Sequence, residues 1–243
     1  MVYISTHAGK RHSISEDAVL AGANVLTETF EVLPMPECGF ICIADGVGGN
    51  RGGDQASQFV LRELSKHRDA ARVDLAGLLK EINENLIATA ASDGSAVDMA
   101  TTLTGFYIND GQFTLIHIGN TRAYLKQGKY LNQITSDPTT YNWLLRNGQI
   151  EAAQNCNKSE ITNCFGGSNP TLLAKLRVSE CQQFALALLT SDGVHEYVDL
   201  DALEEIVTSE ETPVDMCEAI VQRAVDAGSQ DDISVVIICP TEE

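Results

Sequence analysis

The chain has no run of the about 18 to 20 apolar residues needed to cross a membrane. Its first residues, Met1-Val2-Tyr3-Ile4-Ser5-Thr6-His7, lack the basic and apolar regions of a signal peptide. A cytoplasmic location is therefore expected. No C-x-x-C pair occurs, and the seven cysteines are an odd number. Both facts argue against a disulfide framework and against a zinc site. Cys42 and Cys239 lie inside apolar runs and read as small core residues. Basic residues are scarce: 16 Lys and Arg face 34 Asp and Glu, for a net charge of −18. Such a surface repels nucleic acid and anionic lipid, so neither is expected as a partner. Internal repeats, low-complexity tracts and long Pro/Ser linkers are also missing, which leaves one domain spanning 1–243.

What is present is enough for a substantial core. The 243 residues are 44% apolar and 21% charged, a globular composition. Phe40 to Ala44, Phe184 to Leu189 and Ile233 to Cys239 read as buried strands. Thr101 to Ile108 and Gln112 to Ile118 flank Asn109-Asp110-Gly111, a strong hairpin turn. Thr121 to Lys126 and Lys129 to Ile134 flank the weaker turn Gln127-Gly128, and Ala18 to Val25 is a further strand candidate. Helical spacing appears between them. Asp54 to His67 carries Ala56, Phe59, Val60 and Leu64 on one face, with Asp54 as candidate cap. Leu75 to Leu86 forms a second stripe. Val214 to Ala224 forms a third, opened by Thr212-Pro213 as cap and first helical residue. Adjacent strands joined by short turns imply antiparallel sheets with helices packed outside: an α+β layered fold, not a doubly wound one.

The informative acids sit at strand ends. Asp45 follows Phe40 to Ala44, Asp192 follows Phe184 to Leu189, and Asp231-Asp232 precede Ile233. Antiparallel neighbours bring C-terminal ends beside N-terminal ends, so Asp45, Asp192 and Asp231 are expected at one edge of the core. Glu16 and Asp17, just before Ala18, join the same edge. Clustered carboxylates repel one another and are costly to desolvate; a divalent cation removes that difficulty. Oxygen-only ligands favour Mg²⁺ or Mn²⁺. Asp45 and Asp192 are each followed by glycine, which lets a carbonyl or a water reach the ion. Two such ions about 3.5 to 4 Å apart can bridge a water, lower its pKa and direct hydroxide at phosphorus.

Other motifs fail. Cys217 to Arg223 has the spacing of a cysteine-dependent phosphatase loop but lies on an amphipathic helix without phosphate-cradling glycines. Gly46 to Gly53 lacks the Lys-Ser or Lys-Thr of a nucleotide P-loop. The five histidines have no metal-ligand spacing.

Six segments in order carry a family resemblance: GKRHSISEDA (9–18), ADGVGGNRGGDQAS (44–57), MATTL (99–103), HIGNTRAYL (117–125), LTSDG (189–193) and GSQDDISVVI (228–237). Together they resemble the metal-dependent PPM family of protein serine/threonine phosphatases, the protein phosphatase 2C type in its compact bacterial form. The resemblance implies a central antiparallel β-sandwich flanked by helices on both sides, with metals at one edge. It implies that Asp45 bridges two Mn²⁺ or Mg²⁺ ions, that the Gly46 carbonyl binds the first, and that Asp192 and Asp231 complete the second. Glu16 and Asp17 would hold metal-bound waters. Residues from about Gly148 to Ser159, within a flap subdomain at about 136–165, would lie over the site.

Three positions depart from the family pattern. Asn120 stands where bacterial members carry an Asp that helps bind a third metal. His12 stands where the phosphate-binding Arg is usual, with Arg11 just before it, so either Arg11 or a protonated His12 would contact phosphate. Asn50 replaces a His that is a candidate general acid. The expected activity is hydrolysis of phosphoserine or phosphothreonine in a partner protein, the target of a Ser/Thr kinase or the kinase itself, by a monomeric enzyme. The contrasting expectation is a degenerate phosphatase that binds phosphoproteins with little turnover. A phosphatase for small molecules or phosphotyrosine is a further alternative.

Overall fold

The computed structural model describes residues 1–11, 13–47, 52–67, 74–93, 98–167, 169–210 and 212–240. In chain order, β1 (Val2–His7), β2 (Asp17–Ala21), β3 (Asn24–Leu26), β4 (Phe30–Leu33) and β5 (Cys38–Asp45) come first, followed by α1 (Gly53–Lys66) and α2 (Leu75–Asp93). Next are β6 (Ala100–Thr101), β7 (Leu103–Asn109), β8 (Gln112–Ile118), β9 (Arg122–Gln127) and β10 (Tyr130–Gln133). Two short helices follow, α3 (Thr140–Arg146) and α4 (Ile150–Asn155), then β11 (Phe165–Gly166), a 3-10 turn at Pro170–Lys175, β12 (Arg177–Cys181) and β13 (Ala187–Thr190). The chain closes with α5 (Asp192–His195), α6 (Leu200–Ser209), α7 (Pro213–Asp226) and β14 (Ile233–Ile238).

These strands form two six-stranded sheets, β10-β9-β13-β14-β1-β4 and β12-β8-β7-β5-β2-β3, with a small β11-β6 pair beside them. The pairings within both sheets are antiparallel. Side-chain alternation along each strand decides the layers. On β5, Ile41 and Ile43 face the opposing sheet, while Phe40, Cys42 and Ala44 face α1 and α2. On β14, Val236 and Ile238 face inward, while Ile233, Val235 and Ile237 pack against α6 and α7. The result is the expected helix–sheet–sheet–helix sandwich with three apolar layers. Each large side chain buried there contributes about 1.5 to 3 kcal/mol.

Local chemistry explains the element ends. The β7–β8 turn places Asp110 and Gly111 at φ 49° and 72°, the left-handed pair that a two-residue hairpin of this twist requires. Thr212 caps α7 by accepting from Asp215 N at 3.2 Å, with Pro213 inside the first turn. Two expectations shift. Gly52 occupies the cap position of α1, and Asp54 lies within the first turn, where it favours the helix dipole. Ala18 to Val25 is not one strand but the β2–β3 hairpin, turned at Gly22 with φ 62°. The far end of the sandwich is closed by Phe106, Phe113 and Phe184, the last two 4.5 Å apart between ring centres.

The same alternation places polar groups at the other end. Continuing inward from Val19 on β2 gives Asp17; from Ile43 on β5, Asp45; from Phe106 on β7, Thr104. From Leu115 on β8 it gives His117, from Ala123 on β9, Thr121, and from Val236 on β14, Ser234. One end of the sandwich interior is therefore apolar and the other polar.

Candidate active site

Asp45, Asp192, Asp231, Glu16 and Arg11 line one cavity of about 580 Å³ at the polar end. The acids gather there by two routes. Within a sheet, β2 and β5 set Asp17 directly opposite Asp45. In the other sheet, β13 and β14 pair Thr190 with Val235, which brings Asp192 and Asp231-Asp232 together just beyond. Stacking of the two sheets then joins these pairs. Convergence was expected at one edge of the core; it arises there because two sheets face each other. Asp192 also lies beyond its strand, as the first residue of α5.

Backbone contacts fix the acids. Thr102 Oγ1 accepts from Asp45 N at 3.0 Å, Thr102 N donates to Asp45 O at 2.8 Å, and Thr101 Oγ1 donates to the same oxygen at 2.9 Å. Gly46 N donates to Glu16 O at 3.1 Å. Asp232 holds the N-terminal segment. Its carboxylate accepts from Gly9 N and from Glu16 N, both at 2.7 Å, so it anchors both sides of the loop that carries Arg11. Glycine permits the close approach behind Asp45. A Cβ on Gly46 would stand 2.5 Å from the Gly53 carbonyl carbon, and one on Gly53 2.8 Å from the Glu16 carboxyl carbon.

The electrostatics follow from crowding acids in a dry place. Burial foremost, with the charges of Asp232 and Asp192 adding, pushes the Asp17 carboxyl up to about 8 against the opposing Ser234 and Ser191 hydroxyls. Burial and then Asp231 and Glu196 push Asp192 up to about 7, with the Asn120 amide opposing. Asp45 is raised well above its ordinary value by burial and by Asp192, Asp17, Asp231 and Asp232. Arg11 Nη1 donates to Asp231 Oδ2 at 2.6 Å and is the one cationic side chain among the described residues lining the cavity.

Do these residues fit divalent cations? Among the described residues, no three His, Cys, Asp or Glu side chains enclose a single point by themselves. The donor set is nonetheless all oxygen, it includes the backbone beside Asp45, and Asp17 Oδ2 is buried with no hydrogen-bond partner among the described residues. Hard cations whose shells are completed by carbonyl and water meet that description. Asn120 turns its amide to Asp192, donating from Nδ2 to Oδ2 at 3.0 Å.

Residues 138–162 reach the cavity wall. Thr139 and Ile161 form an isolated bridge, and Thr162 N donates to Pro138 O at 2.7 Å, closing the base of the segment that holds α3 and α4. Asn157, Ser159, Glu160 and Ile161 line the cavity from that side, and Ser159 Oγ donates to Glu196 Oε1 at 2.5 Å. His12 and Asn50 lie outside the described residues. Sequence reasoning missed Asp232 as the loop anchor, the Thr101–Thr102 support of Asp45, and Glu196. The doubled acid at 231–232 carried a signal for the first; the others have none without three-dimensional pairing.

An acid-lined cavity with one arginine, at the end of a two-sheet sandwich, is the layout of a cation-assisted phosphate-ester hydrolase. The protein phosphatase 2C family model matches residues 34–233, and the chain belongs to that family of metal-dependent serine/threonine phosphatases. It is 30% identical over 212 residues to the serine/threonine phosphatase stp of Listeria monocytogenes, covering 82% of this chain and 83% of that protein. The crystal structure of serine/threonine phosphatase Stp1 from Staphylococcus aureus superposes with a TM-score of 0.81 at 25% identity, covering 100% of this chain and 95% of that one. A catalytic domain of serine threonine protein phosphatase PstP, in complex with 2 manganese ions, shares the fold with a TM-score of 0.74 at 24% identity over 98% of each chain.

Proposed function

We propose that the cavity hydrolyses phosphoserine and phosphothreonine in proteins with two Mn²⁺ or Mg²⁺ ions. The observation that carries this is the gathering of Asp45, Asp192 and Asp231 with Glu16 and Arg11 around one cavity. Asp45 with the Gly46 carbonyl, and Asp192 with Asp231, would hold the two ions, while Glu16 and Asp17 would accept from their waters. When bound, such ions supply a hydroxide nucleophile at neutral pH and positive charge for the phosphate oxygens.

The chain's own residues do the rest. Arg11, already in the cavity beside Asp231, would present its guanidinium to the substrate phosphate with bidentate geometry. Asp232 would keep that loop at its distance, and Thr102 would keep the Asp45 carboxylate aimed into the cavity. Residues 136–165 would act as a flap that meets the polypeptide on either side of the phosphorylated residue.

The test is phosphate release from a phosphothreonine peptide with Mn²⁺, with Mg²⁺ and with chelator. Release with metal, none with chelator and none from Asp45→Asn is the expected result. A folded protein that binds the phosphopeptide without turnover under every condition overturns it in favour of a binding module.

A further inference from the structure

A chain of buried polar side chains runs between the sheets from Asp45 to Ser136, just before the 138–162 segment, and beyond Thr102 the hydrolytic reading does not use it. Asp45 N donates to Thr102 Oγ1 at 3.0 Å. Thr102 and Thr121 hydroxyls stand 3.3 Å apart, Thr121 and Thr104 2.7 Å, and Thr104 Oγ1 and His117 Nδ1 2.9 Å. His117 Nε2 meets Ser136 O at 3.1 Å. Thr102, Thr104, His117 and Thr121 are all buried, the imidazole at 4% exposure. Thr104 and His117 are direct cross-strand partners, so the register of β7 on β8 builds this contact.

Donor counting fixes the direction at the His117 end of the chain. A carbonyl only accepts, so His117 Nε2 carries the hydrogen. Burial foremost drives the imidazole pKa down, which keeps the ring neutral and leaves Nδ1 to accept from Thr104. Thr104 then accepts from Thr121, whose single hydrogen is spent there. Thr121 Oγ1 also stands 3.3 Å from Thr102 Oγ1, the longer of its two hydroxyl contacts. Thr104 Oγ1 also donates to Thr121 O at 3.1 Å, so its hydrogen is shared between that carbonyl and Nδ1, and the chain links Asp45 N–H to Ser136 C=O. A second strap lies alongside: Arg122, next to Thr121, donates from Nε and Nη2 to Asp137 Oδ2 at 3.0 and 2.7 Å, next to Ser136.

Buried polar groups of this kind are costly unless satisfied, and a satisfied chain has few alternative arrangements. We propose that His117 is a positioning residue that couples the segment at the cavity wall to Asp45 through Thr104, Thr121 and Thr102. The proposal rests on the phosphatase reading above. Movement of Ser136 when a polypeptide enters is passed to the backbone of Asp45, and the grip on Asp45 sets where the segment rests.

The test separates the two ends of the chain. His117→Asn keeps an acceptor for Thr104 and removes the donor to Ser136 O. His117→Gln reaches the Nε2 position and restores that donor. Thr104→Val removes the hydroxyl, and Thr104→Ser keeps it. Each is measured for kcat/KM on a phosphothreonine peptide and on p-nitrophenyl phosphate, which has no polypeptide to engage the segment, and for Mn²⁺ affinity by calorimetry. His117→Asn is expected to lose about tenfold more on the peptide than on p-nitrophenyl phosphate, with His117→Gln recovering most of it. Thr104→Val is expected to weaken Mn²⁺ about tenfold, with Thr104→Ser near wild type. Equal losses on both substrates with unchanged Mn²⁺ affinity, accompanied only by a lower Tm, overturn the proposal. If Thr104→Val fails to fold, the substrate ratio of the two His117 variants decides. Folded wild type that turns over neither substrate defeats the phosphatase reading instead, and Mn²⁺ affinity of the Thr104 pair still tests the link to Asp45.

Discussion

Replacing Asp232 with Asn isolates a contribution that looks catalytic by position but acts through the backbone. Its carboxylate accepts from Gly9 N and Glu16 N at 2.7 Å each. In Asp232→Asn one oxygen becomes an NH₂, so one of the two N–H groups loses its acceptor and the other loses a charged one. A hydrogen bond to a charged group is worth about 1.5 to 3 kcal/mol. Loss of like charge works the other way, because Asp232 helps to raise Asp17 and Asp45, but in both it ranks below burial. The net cost should stay at about 1.5 to 3 kcal/mol in Mn²⁺-saturated protein, where that repulsion is already neutralised. For a domain of this size each kcal/mol shifts Tm by about 2 to 4 °C, so a drop of about 3 to 12 °C is expected. The loop carrying Arg11 loosens at the same time, so KM for phosphopeptide should rise. Glu205→Gln is the control: its surface ion pair with Arg223 is weak, and its Tm should barely move. An Asp232→Asn protein melting within a degree of wild type, with unchanged KM, would refute the anchoring role.

Three further outcomes follow from the same geometry. Asp17 at about 8 and Asp192 at about 7 both lie above their ordinary value of 3.8, so the folded metal-free protein holds more protons than the unfolded chain between about pH 4 and 8. These groups should therefore make chelated protein lose Tm as pH rises from 5.5 to 8.5, and saturating Mn²⁺ should remove that slope; a chelated Tm that climbs over this range contradicts the burial argument. Arg11→Ala should raise KM for a phosphothreonine peptide by about 10- to 100-fold, the equivalent of one charge-assisted hydrogen bond, and Arg11→Lys should recover only part because it lacks the planar fork. Gly46→Ala forces a methyl to within 2.5 Å of the Gly53 backbone and should cost about 1 to 3 kcal/mol in chemical denaturation, whereas a variant as stable as wild type would mean that the loop yields freely.

The layers were legible because alternation is a property of single strands. Ile41 and Ile43 against Phe40, Cys42 and Ala44 announce a strand covered on both sides, and the first two helical stripes, on α1 and α2, supply one cover. The position of Asp45 at the end of that run was equally visible. How the acids meet was not, since facing sheets pair residues far apart in sequence, and no local pattern says that β2 and β5 lie opposite β13 and β14. Asp54 shows a smaller limit. An acid before an apolar stripe suits a cap or a first turn equally, and the left-handed Gly52 decides between them. His117 reads from sequence as one residue of a buried strand; its partners Thr104 and Ser136 come from two other segments.

The division of each strand into an apolar half and a polar half has a kinetic consequence. Amide hydrogens near Ile41, Phe106 and Val236 lie where opening must break the apolar layer, and they should exchange only through global unfolding. Amides a few residues along β5 and β14, near Asp45 and Ser234, sit among carboxylates whose mutual repulsion favours parting of the sheets. Along a single strand, exchange should thus grade from slowest to fastest within about 15 Å, a distance set by the rise of some five residues. A divalent ion would flatten that gradient from one end, locking the sandwich where its own packing holds it least.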